Sequence, residues 1–316
     1  MQPEAPAPVV PKPAPRPVAK PGPEPPPPGV FPRPVQNVFE AQLALARQGI
    51  SSGSLDAVIG SQTRSALRVF QQKARLPVTG ELDAATKERL LLATPLYTTC
   101  TVTTNDLARL QPLSSTWLGK SQQTALDYEN ILELVAENSH SHPNLIRRLN
   151  PSIVWTNVAA GTAVQVPDVT YADAGAKAAF ATISLGGKVL EAFDASTNLL
   201  AHFPCSIAQH VEKRPIGELH VAAIAPNPNY TFDPDVFPES AEARQLKTKL
   251  ILPPGPNNPV GVAWISLDKP GYGIHGTPSP EQVGRTESHG CFRLANWNAE
   301  YLIKLAWVGM PVYVEP

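Results

Sequence analysis

The sequence predicts a multidomain α+β protein, and three observations lead to this expectation. The chain has 316 residues and a mass of 33.9 kDa, which exceeds the usual single-domain size of roughly 100 to 200 residues. Apolar residues recur with helical spacing over about 36–92 and with a period of two from about 177 onward. We therefore expect a three-helix bundle, a small βααβ module, and a C-terminal, mostly antiparallel β-sandwich or barrel-like domain with one late helix.

Composition and charge exclude two classes of partner. Lys and Arg (26) nearly balance Asp and Glu (27), and no basic run is long enough to follow a phosphate backbone, which argues against nucleic acid. The sequence contains no run of about 18 consecutive apolar residues, so no membrane-spanning helix is predicted. The N-terminus lacks a basic and then apolar leader. Because Met1 runs directly into Gln2-Pro3-Glu4, we expect a mature or truncated chain whose export segment has been removed.

Residues 1–35 are predicted to form an extended tether. Fifteen of the 36 prolines lie within the first 34 residues, where they alternate with alanine and valine. Such a segment favours the polyproline conformation and has nothing to bury, so at about 3.1 Å per residue it reaches on the order of 100 Å. A ligand for a proline-recognising domain is the alternative. Repeated Ala-Pro without an organised basic anchor favours the spacer.

Residues 36–95 are predicted to form three short helices separated by turns, with Ser61 and Asp83 as N-caps of the second and third. The segment resembles the small three-helix peptidoglycan-binding domain found beside bacterial wall enzymes. The matching residues are Ala41-Gln42, Leu55-Asp56, Gly60, Thr63, Ala66-Leu67, Phe70-Gln71 and Thr79-Gly80-Glu81-Leu82-Asp83. It departs at Ala57, where that family usually carries glycine. A helical bundle without a ligand is the alternative.

We expect a linker over 96–121 and a second small module over 122–170. Its helices are predicted at 131–136 and 143–151, and a strand at 161–167. The Leu-Asn-Pro and Ala-Gly-Thr segments resemble a LysM glycan-binding module. The usual opening strand with its Gly-Asp turn is replaced by Thr124 to Tyr128. A module that only connects its neighbours is therefore the alternative to one that binds sugar.

The C-terminal domain is predicted over 177–316 from its period-two pattern. A hairpin is expected at 180–185 and 189–193 around Gly186-Gly187, with further strands at 199–207, 218–224, 261–267 and 312–314. One helix is predicted at about 298–306. Trp264, Trp297 and Trp307 lie within these patterns, which favours packing roles over sugar platforms.

The densest chemical signal is one cysteine among two histidines. His275 closes a predicted strand, and the run Ser288-His289-Gly290-Cys291 follows across a loop. A thiol of ordinary pKa, about 8.5, is mostly protonated at neutral pH, so a cysteine nucleophile needs an imidazole or a positive field nearby. Gly290 allows a turn that a side chain could obstruct and leaves the Cys291 N–H to face an oxyanion. This pattern is typical of acyl transfer.

The same run resembles the L,D-transpeptidase (YkuD-type) catalytic domain, whose signature is His-Gly followed by Ser/Thr-His-Gly-Cys and a nearby arginine. The resemblance implies Cys291 as nucleophile, His275 as base, and the Gly276 carbonyl as the group that orients the imidazole. It also implies His289 and Gly290 as further catalytic-site residues. Pro278 stands where asparagine is frequent in the family. The substrate-binding residues would be Arg293, Ser288 and Thr277, and a loop-bracing ion pair is an equal reading for Arg293.

The resemblance further implies a cell-wall peptidoglycan L,D-transpeptidase. It would transfer an acyl group from a tetrapeptide stem, with release of D-alanine, to an amine acceptor, forming 3-3 crosslinks or attaching a protein to the wall. No metal or organic cofactor is expected. The expected partners are stem peptides, glycan and a wall-attached protein acceptor, for a monomer in the periplasm or the extracellular wall. A carbapenem is expected to acylate Cys291.

Several alternatives remain open at this stage. An L,D-carboxypeptidase or another wall-peptide cysteine hydrolase would use the same site with water, and a wall-anchoring protein would have an inactive one. Zinc bound by His275, His289 and Cys291 would lack a fourth ligand, because the chain has no Cys-x-x-Cys pair. Cys100 and Cys205 form either a disulfide or two thiols.

Overall fold

The fold is described from a computed structural model, which covers residues 30–171, 175–236, 241–246, 248–285 and 290–316. Most of the predicted tether lies outside these residues, as do Ser288 and His289. Backbone contacts unite Phe31–Pro316 into one unit. Within the described ranges, no helix is long and apolar enough to span a membrane.

The N-terminal part is a helical domain with a short strand at each end. Asn37 and Asp83 cap α1 and α3 by accepting hydrogen bonds from the N–H groups of Glu40 and Thr86. The predicted cap of α2 is wrong by one residue, because the extended residue before the helix is Gly60 and Ser61 is already helical. The elements are β1 (Arg33–Pro34), α1 (Val38–Ala46), α2 (Ser61–Lys73), α3 (Ala84–Arg89) and β2 (Leu91–Leu92).

A buried glutamine organises the loop between α1 and α2. The Gln42 side chain donates to Asp56 Oδ1 at 2.8 Å and accepts from the N–H of Ala57 at 2.9 Å. Ala57 has φ of 65°, the left-handed conformation that glycine adopts without steric cost. The loop therefore keeps a glycine-like conformation although the sequence has alanine there.

The middle module contains an antiparallel pair of strands and four helices. Its elements are β3 (Tyr97–Thr101), α4 (Thr104–Arg109), α5 (Trp117–Ser121), α6 (Ile131–Asn138), α7 (Pro143–Leu149) and β4 (Ala163–Pro167). Strand β3 pairs with β4 from Tyr97↔Pro167 to Thr101↔Ala163. The interpretation of 96–121 as a linker is therefore wrong, because this segment contains strand β3 and helices α4 and α5. This pairing joins segments far apart in the chain, so no local pattern reveals it.

The C-terminal domain is built on one eight-stranded sheet. Its strands are β5 (Phe180–Ser184), β6 (Val189–Phe193), β7 (Leu199–Pro204), β8 (Gly217–Pro226), β11 (Ala263–Leu267), β12 (Gly273–His275), β13 (Phe292–Arg293) and β14 (Pro311–Glu315). They lie in the order β13-β12-β11-β8-β14-β5-β6-β7. A separate hairpin pairs β9 (Tyr230–Phe232) with β10 (Leu250–Leu252), and α8 (Asn296–Leu305) is the predicted late helix.

The sheet curls until its two ends meet. Ser206, just after β7, forms an antiparallel bridge with Arg293 of β13, with hydrogen bonds of 2.9 and 3.0 Å between their backbones. Neighbouring strands are antiparallel except for β12 with β13 and β14 with β5. The barrel-like alternative thus describes this domain better than a sandwich of two sheets.

The helical domain and the middle module both pack on this sheet domain. The Ser51 N–H donates to His202 O at 2.8 Å and the His202 N–H to Gly49 O at 2.9 Å, so the loop after α1 covers the β7 edge. A Cβ on Gly49 would lie 2.6 Å from Leu200 O, which explains the glycine. Leu55 pairs in the same way with the segment before α7, donating to His140 O at 2.8 Å. The three units are therefore joined by backbone hydrogen bonds.

Candidate active site

Two parallel strands bring the motif residues together. Ile274 pairs with Phe292 and His275 with Arg293 across β12 and β13. Because alternate residues point to opposite faces of a sheet, His275 and Arg293 share one face, and the same alternation assigns Cys291, which immediately precedes β13, to that face. Ile274 and Phe292 point the other way and are buried in the core. The nucleophile and the base predicted from the motif are thus diagonal neighbours on one surface.

His275 is held in one orientation and kept neutral. Its Nδ1 lies 2.6 Å from the carbonyl oxygen of Gly276, which can only accept, so Nδ1 carries the proton and Nε2 keeps a lone pair. Trp264, its partner on β11, stacks on the ring with centroids 5.5 Å apart. Burial lowers the pKa of His275 to about 4, and the positive charge of Arg293 contributes to the lowering. The ring is therefore a neutral base at physiological pH.

Cys291 is half-buried and lies immediately before β13. Its Sγ lies 3.6 Å from the carbonyl oxygen of Gly271, on the loop before β12. Burial raises the pKa of this thiol, opposed by a hydrogen bond from the Gly273 backbone and by the charge of Arg293. Desolvation thus favours the uncharged form of both groups. The expectation that the ring keeps the sulfur ionised in the resting protein is not supported, because burial disfavours both the thiolate and the imidazolium.

Arg293 supports the site through its backbone and its charge. Its N–H and C=O groups form the bridge to Ser206, and its guanidinium interacts electrostatically with Cys291 and Cys205. Burial lowers the pKa of the guanidinium. The structure thus shows the backbone of Arg293 bracing the segment after the nucleophile, and contact with a substrate carboxylate stays a prediction.

Thr277 and Gly276 face Asn296 at the start of α8. The Thr277 N–H donates to Asn296 Oδ1 at 2.9 Å, and the Thr277 hydroxyl accepts from the N–H of Ser279 at 3.3 Å. A Cβ on Gly276 would lie 2.2 Å from the same Asn296 oxygen, so only glycine fits. Thr277 is buried, and its predicted contact with substrate stays a prediction.

The predicted reason for glycine at position 290 stays a prediction. Among the described residues, a Cβ added to Gly290 would meet no heavy atom within 4 Å, and residues 286–289, which immediately precede it, lie outside them. Ser288 and His289 lie outside the described residues, so their predicted roles stay predictions.

The sequence pattern assigns no role at the site to two of its aromatic residues, Tyr230 and Trp264. Tyr230 on β9 interacts electrostatically with Cys291, and burial, with smaller contributions from Cys291 and Asp233, raises its pKa to about 12. Trp264 carries the stacking contact with His275 although the sequence indicated only packing. Gly273 belongs with it, because a Cβ there would lie 2.6 Å from the Trp264 ring. The alternation along the strand around Trp264 could have indicated that it shares a sheet face with His275. No local sequence pattern indicates that Tyr230 lies near Cys291.

The other cysteines form no disulfide. Cys100, Cys205 and Cys291 are all unbridged, which settles the open alternative in favour of thiols. Cys205 is fully buried beside Ser206, and burial raises its pKa to about 12, so it is a poor nucleophile. Among the residues described, no group of three or more His, Cys, Asp or Glu side chains could hold a metal ion.

Comparison with known families agrees with this geometry. Residues 178–314 match the family model of the L,D-transpeptidase catalytic domain, YkuD. Residues 34–90 match that of a peptidoglycan binding domain.

Individual relatives lie in the same group. The L,D-transpeptidase-type protein YkuD of Bacillus licheniformis is 24% identical over 185 residues, covering 58% of this chain and 93% of that protein. YqjB of Bacillus subtilis is 34% identical over 105 residues, covering 32% and 51%.

Among solved structures, the L,D-transpeptidase of Xylanimonas cellulosilytica covers 94% of this chain and 100% of its own at 14% identity and a TM-score of 0.38. L,D-transpeptidase 3 of Mycobacterium tuberculosis covers 51% and 77% at 16% identity and a TM-score of 0.35. These scores are low, so the assignment rests on the family models and the relatives. The chain therefore contains an L,D-transpeptidase catalytic domain of the YkuD family and, ahead of it, a peptidoglycan-binding domain.

Proposed function

We propose that this protein is an exported wall enzyme in which Cys291 transfers peptidoglycan stem peptides and His275 moves the protons. The observation that carries the proposal is the shared face of β12 and β13, where the half-buried thiol and the neutral, oriented imidazole are diagonal neighbours. A base with a lone pair at Nε2 and a pKa below neutrality can take a proton from the thiol as the sulfur attacks.

The first half-reaction acylates the thiol. The Sγ of Cys291 attacks the carbonyl carbon that joins the L-centre of the third stem residue to the terminal D-alanine, and the thiol proton passes to Nε2 of His275. Backbone N–H groups at the start of β13 stabilise the oxyanion of the tetrahedral intermediate. The C–N bond then breaks, D-alanine leaves with the proton from His275, and a thioester remains on Cys291.

The second half-reaction regenerates the thiol. An amine on a second stem peptide, or on a wall-attached protein, attacks the thioester carbonyl and gives a proton to His275. The C–S bond breaks, and the sulfur takes the proton back. Water in place of the amine would release a tripeptide, which is the carboxypeptidase reaction. The choice of acceptor depends on the shape of the cleft around Tyr230 and Trp264.

The N-terminal units hold the catalytic domain on its substrate. The peptidoglycan-binding domain over 34–90 supports a wall substrate. We propose that the middle module is LysM-like and contacts glycan, which its strand–helix–strand arrangement supports, and that the proline-rich segment is a tether. These features favour the periplasm or the extracellular wall as the location, with Arg293, Ser288 and Thr277 facing the stem peptide.

The proposal is tested with purified protein, a tetrapeptide stem donor and an amine acceptor. Mass spectrometry should detect the amide product together with released D-alanine. Cys291→Ala should abolish both and still bind isolated sacculi. Cys205→Ala, the matched control, removes a buried thiol with a high pKa and should leave turnover unchanged.

Three other results of this assay would lead to different conclusions about the function. Tripeptide without amide product would assign the carboxypeptidase reaction. Wild-type turnover that survives Cys291→Ala would contradict the proposal, and absence of any product with retained wall binding would leave an anchoring protein.

A further inference from the structure

One buried side chain connects the catalytic base to the middle module. Asn296, the first residue of α8, is 1% exposed. Its Oδ1 accepts from the N–H groups of Thr277 at 2.9 Å and Val262 at 3.3 Å. Its Nδ2 donates to Glu137 Oε1 at 2.9 Å and to Pro256 O at 3.1 Å. All four partners lie in segments distant in the sequence, so this one amide links separate parts of the chain.

The contact with Thr277 acts directly on the group that orients His275. The C=O of Gly276 and the N–H of Thr277 belong to one planar peptide unit. On one side this unit accepts from His275 Nδ1 at 2.6 Å, and on the other it donates to Asn296 Oδ1 at 2.9 Å. Rotation of the peptide plane would therefore break both bonds. Asn296 thus determines where the carbonyl that selects the imidazole tautomer points.

Glu137 determines which way the Asn296 amide faces. It lies on α6 of the middle module, and its Oε1 also accepts from the Tyr128 hydroxyl at 3.2 Å. If the amide turned over, its oxygen would face the acceptors of Glu137 and Pro256, and its NH2 group would face two N–H donors. A buried polar group without a partner is destabilising, because it has lost the hydrogen bonds that water would supply. The middle module therefore fixes the amide in the orientation that Thr277 requires.

We propose that Asn296 is a positioning residue for His275 and that Glu137 fixes it, so the middle module completes the active site. The proposal rests on the proposed function, because His275 must act as the base. It predicts that a change in a separate module alters proton transfer at Cys291.

The test exchanges donor and acceptor at the Glu137–Asn296 contact. Asn296→Asp keeps an oxygen for Thr277 but places a second oxygen against Glu137 and Pro256. Acylation of Cys291 should then fall roughly 10- to 100-fold, as expected for a displaced catalytic group, with KM for the donor unchanged. Adding Glu137→Gln supplies a donor to the new carboxylate and should restore part of the rate. Glu137→Gln alone, which keeps an acceptor for Asn296, should change the rate less than threefold.

A second asparagine on α8 provides the matched control. Asn298 is also buried, donates to Ser51 Oγ at 3.2 Å and accepts from the Tyr171 hydroxyl at 2.6 Å, but it has no contact with 276–277 among its described bonds. Asn298→Asp should lower the melting temperature without lowering the acylation rate of folded protein. The pH profile of kcat/KM should shift in Asn296→Asp and stay unchanged in Asn298→Asp.

The outcomes separate this inference from the proposed function. An inactive wild-type protein would refute the proposed function itself. With active wild type, three results would each overturn the inference: an Asn296→Asp rate equal to wild type, absence of rescue by Glu137→Gln, or an equal rate loss in Asn298→Asp. If Asn296→Asp does not fold, Glu137→Ala is measured instead, and a wild-type rate and pH profile in that variant would overturn it.

Discussion

Cys291 and His275 are both desolvated by burial, and for this reason they do not form a preformed thiolate–imidazolium ion pair. Burial raises the thiol pKa and lowers the imidazole pKa, so at rest the proton stays on sulfur. In the proposed reaction, attack by the sulfur and transfer of its proton then occur together. Arg293 offers its positive charge to the thiolate as it forms, which lowers the cost of the charged state during the reaction.

This arrangement predicts the pH dependence of acylation. A base with a pKa of about 4 is unprotonated above that pH, so kcat/KM should stay constant between about pH 5 and 7 and fall only below about pH 4. The measurement is single-turnover acylation across that range with buffers of constant ionic strength. An acid limb near the ordinary histidine pKa of about 6.5 would contradict the burial argument.

At the scale of single elements, the loop between α1 and α2 contains one residue, Ala57, with a strained backbone conformation. Ala57 has φ of 65°, a conformation that costs an L-residue roughly 1–2 kcal/mol. Glycine avoids that cost but has more conformational entropy in the unfolded chain. Ala57→Gly should therefore stabilise the protein by up to about 1 kcal/mol in denaturant unfolding.

Ala44→Gly is the control for this substitution because Ala44 lies inside α1. It should destabilise the protein by roughly 0.5–1 kcal/mol or more. If both substitutions destabilise equally, the left-handed conformation at Ala57 is not maintained in solution.

Helix α6 contains a carboxyl group whose burial has a measurable cost. Desolvation raises the pKa of Glu137 to about 7, with Glu133 and Glu300 adding to it and Asn296 and Tyr128 opposing it. A raised acid pKa means that stability is present below the unfolded value of 4.5 and is lost as pH rises to about 7. A shift of this size corresponds to roughly 3 kcal/mol.

Glu137→Gln removes this titration. Relative to wild type, the variant should gain stability by up to roughly 3 kcal/mol between pH 4 and pH 8. Urea unfolding at the two pH values measures the difference. Glu133→Gln at the neighbouring contact with Asn257 serves as a comparison, and a stability difference independent of pH for Glu137→Gln would contradict the raised pKa.

Local patterns predict the elements that carry their own signals. The helical periodicity places three helices in the N-terminal domain, and Asp83 is recognisable as a cap from its position before Ala84. Strand β3 escapes prediction because its partner β4 follows only after four intervening helices. The contact between the two sheet edges at Ser206 and Arg293 is not predicted for the same reason, because short-range periodicity contains no information on whether a sheet closes.

At the scale of the whole molecule, the site is predictable only in part. His275 and Cys291 lie in one motif, so their types and spacing predict them. Tyr230, Glu137 and Asn296 reach the site through tertiary packing of separate segments. The sequence can suggest the chemistry, but the residues that we propose to orient the base are brought together by a fold that joins two modules.

The joined units are predicted to unfold together. All five tryptophans lie at position 117 or beyond, outside the helical domain, so their fluorescence reports the other two units. Far-UV circular dichroism includes the helices of all three. Because backbone hydrogen bonds link the units, both signals should change at the same denaturant concentration. A separate early transition seen only by circular dichroism would contradict this coupling.

The central claim is that Cys291 is the acylated thiol and that His275 takes its proton. The most direct measurement is the rate at which a carbapenem adduct forms, followed by intact mass and located by peptide mapping. We predict one adduct on Cys291, formed roughly 100- to 10,000-fold more slowly in His275→Ala and at the wild-type rate in His220→Ala, an exposed control. An adduct on Cys100 or Cys205, or an undiminished rate in His275→Ala, would contradict the claim.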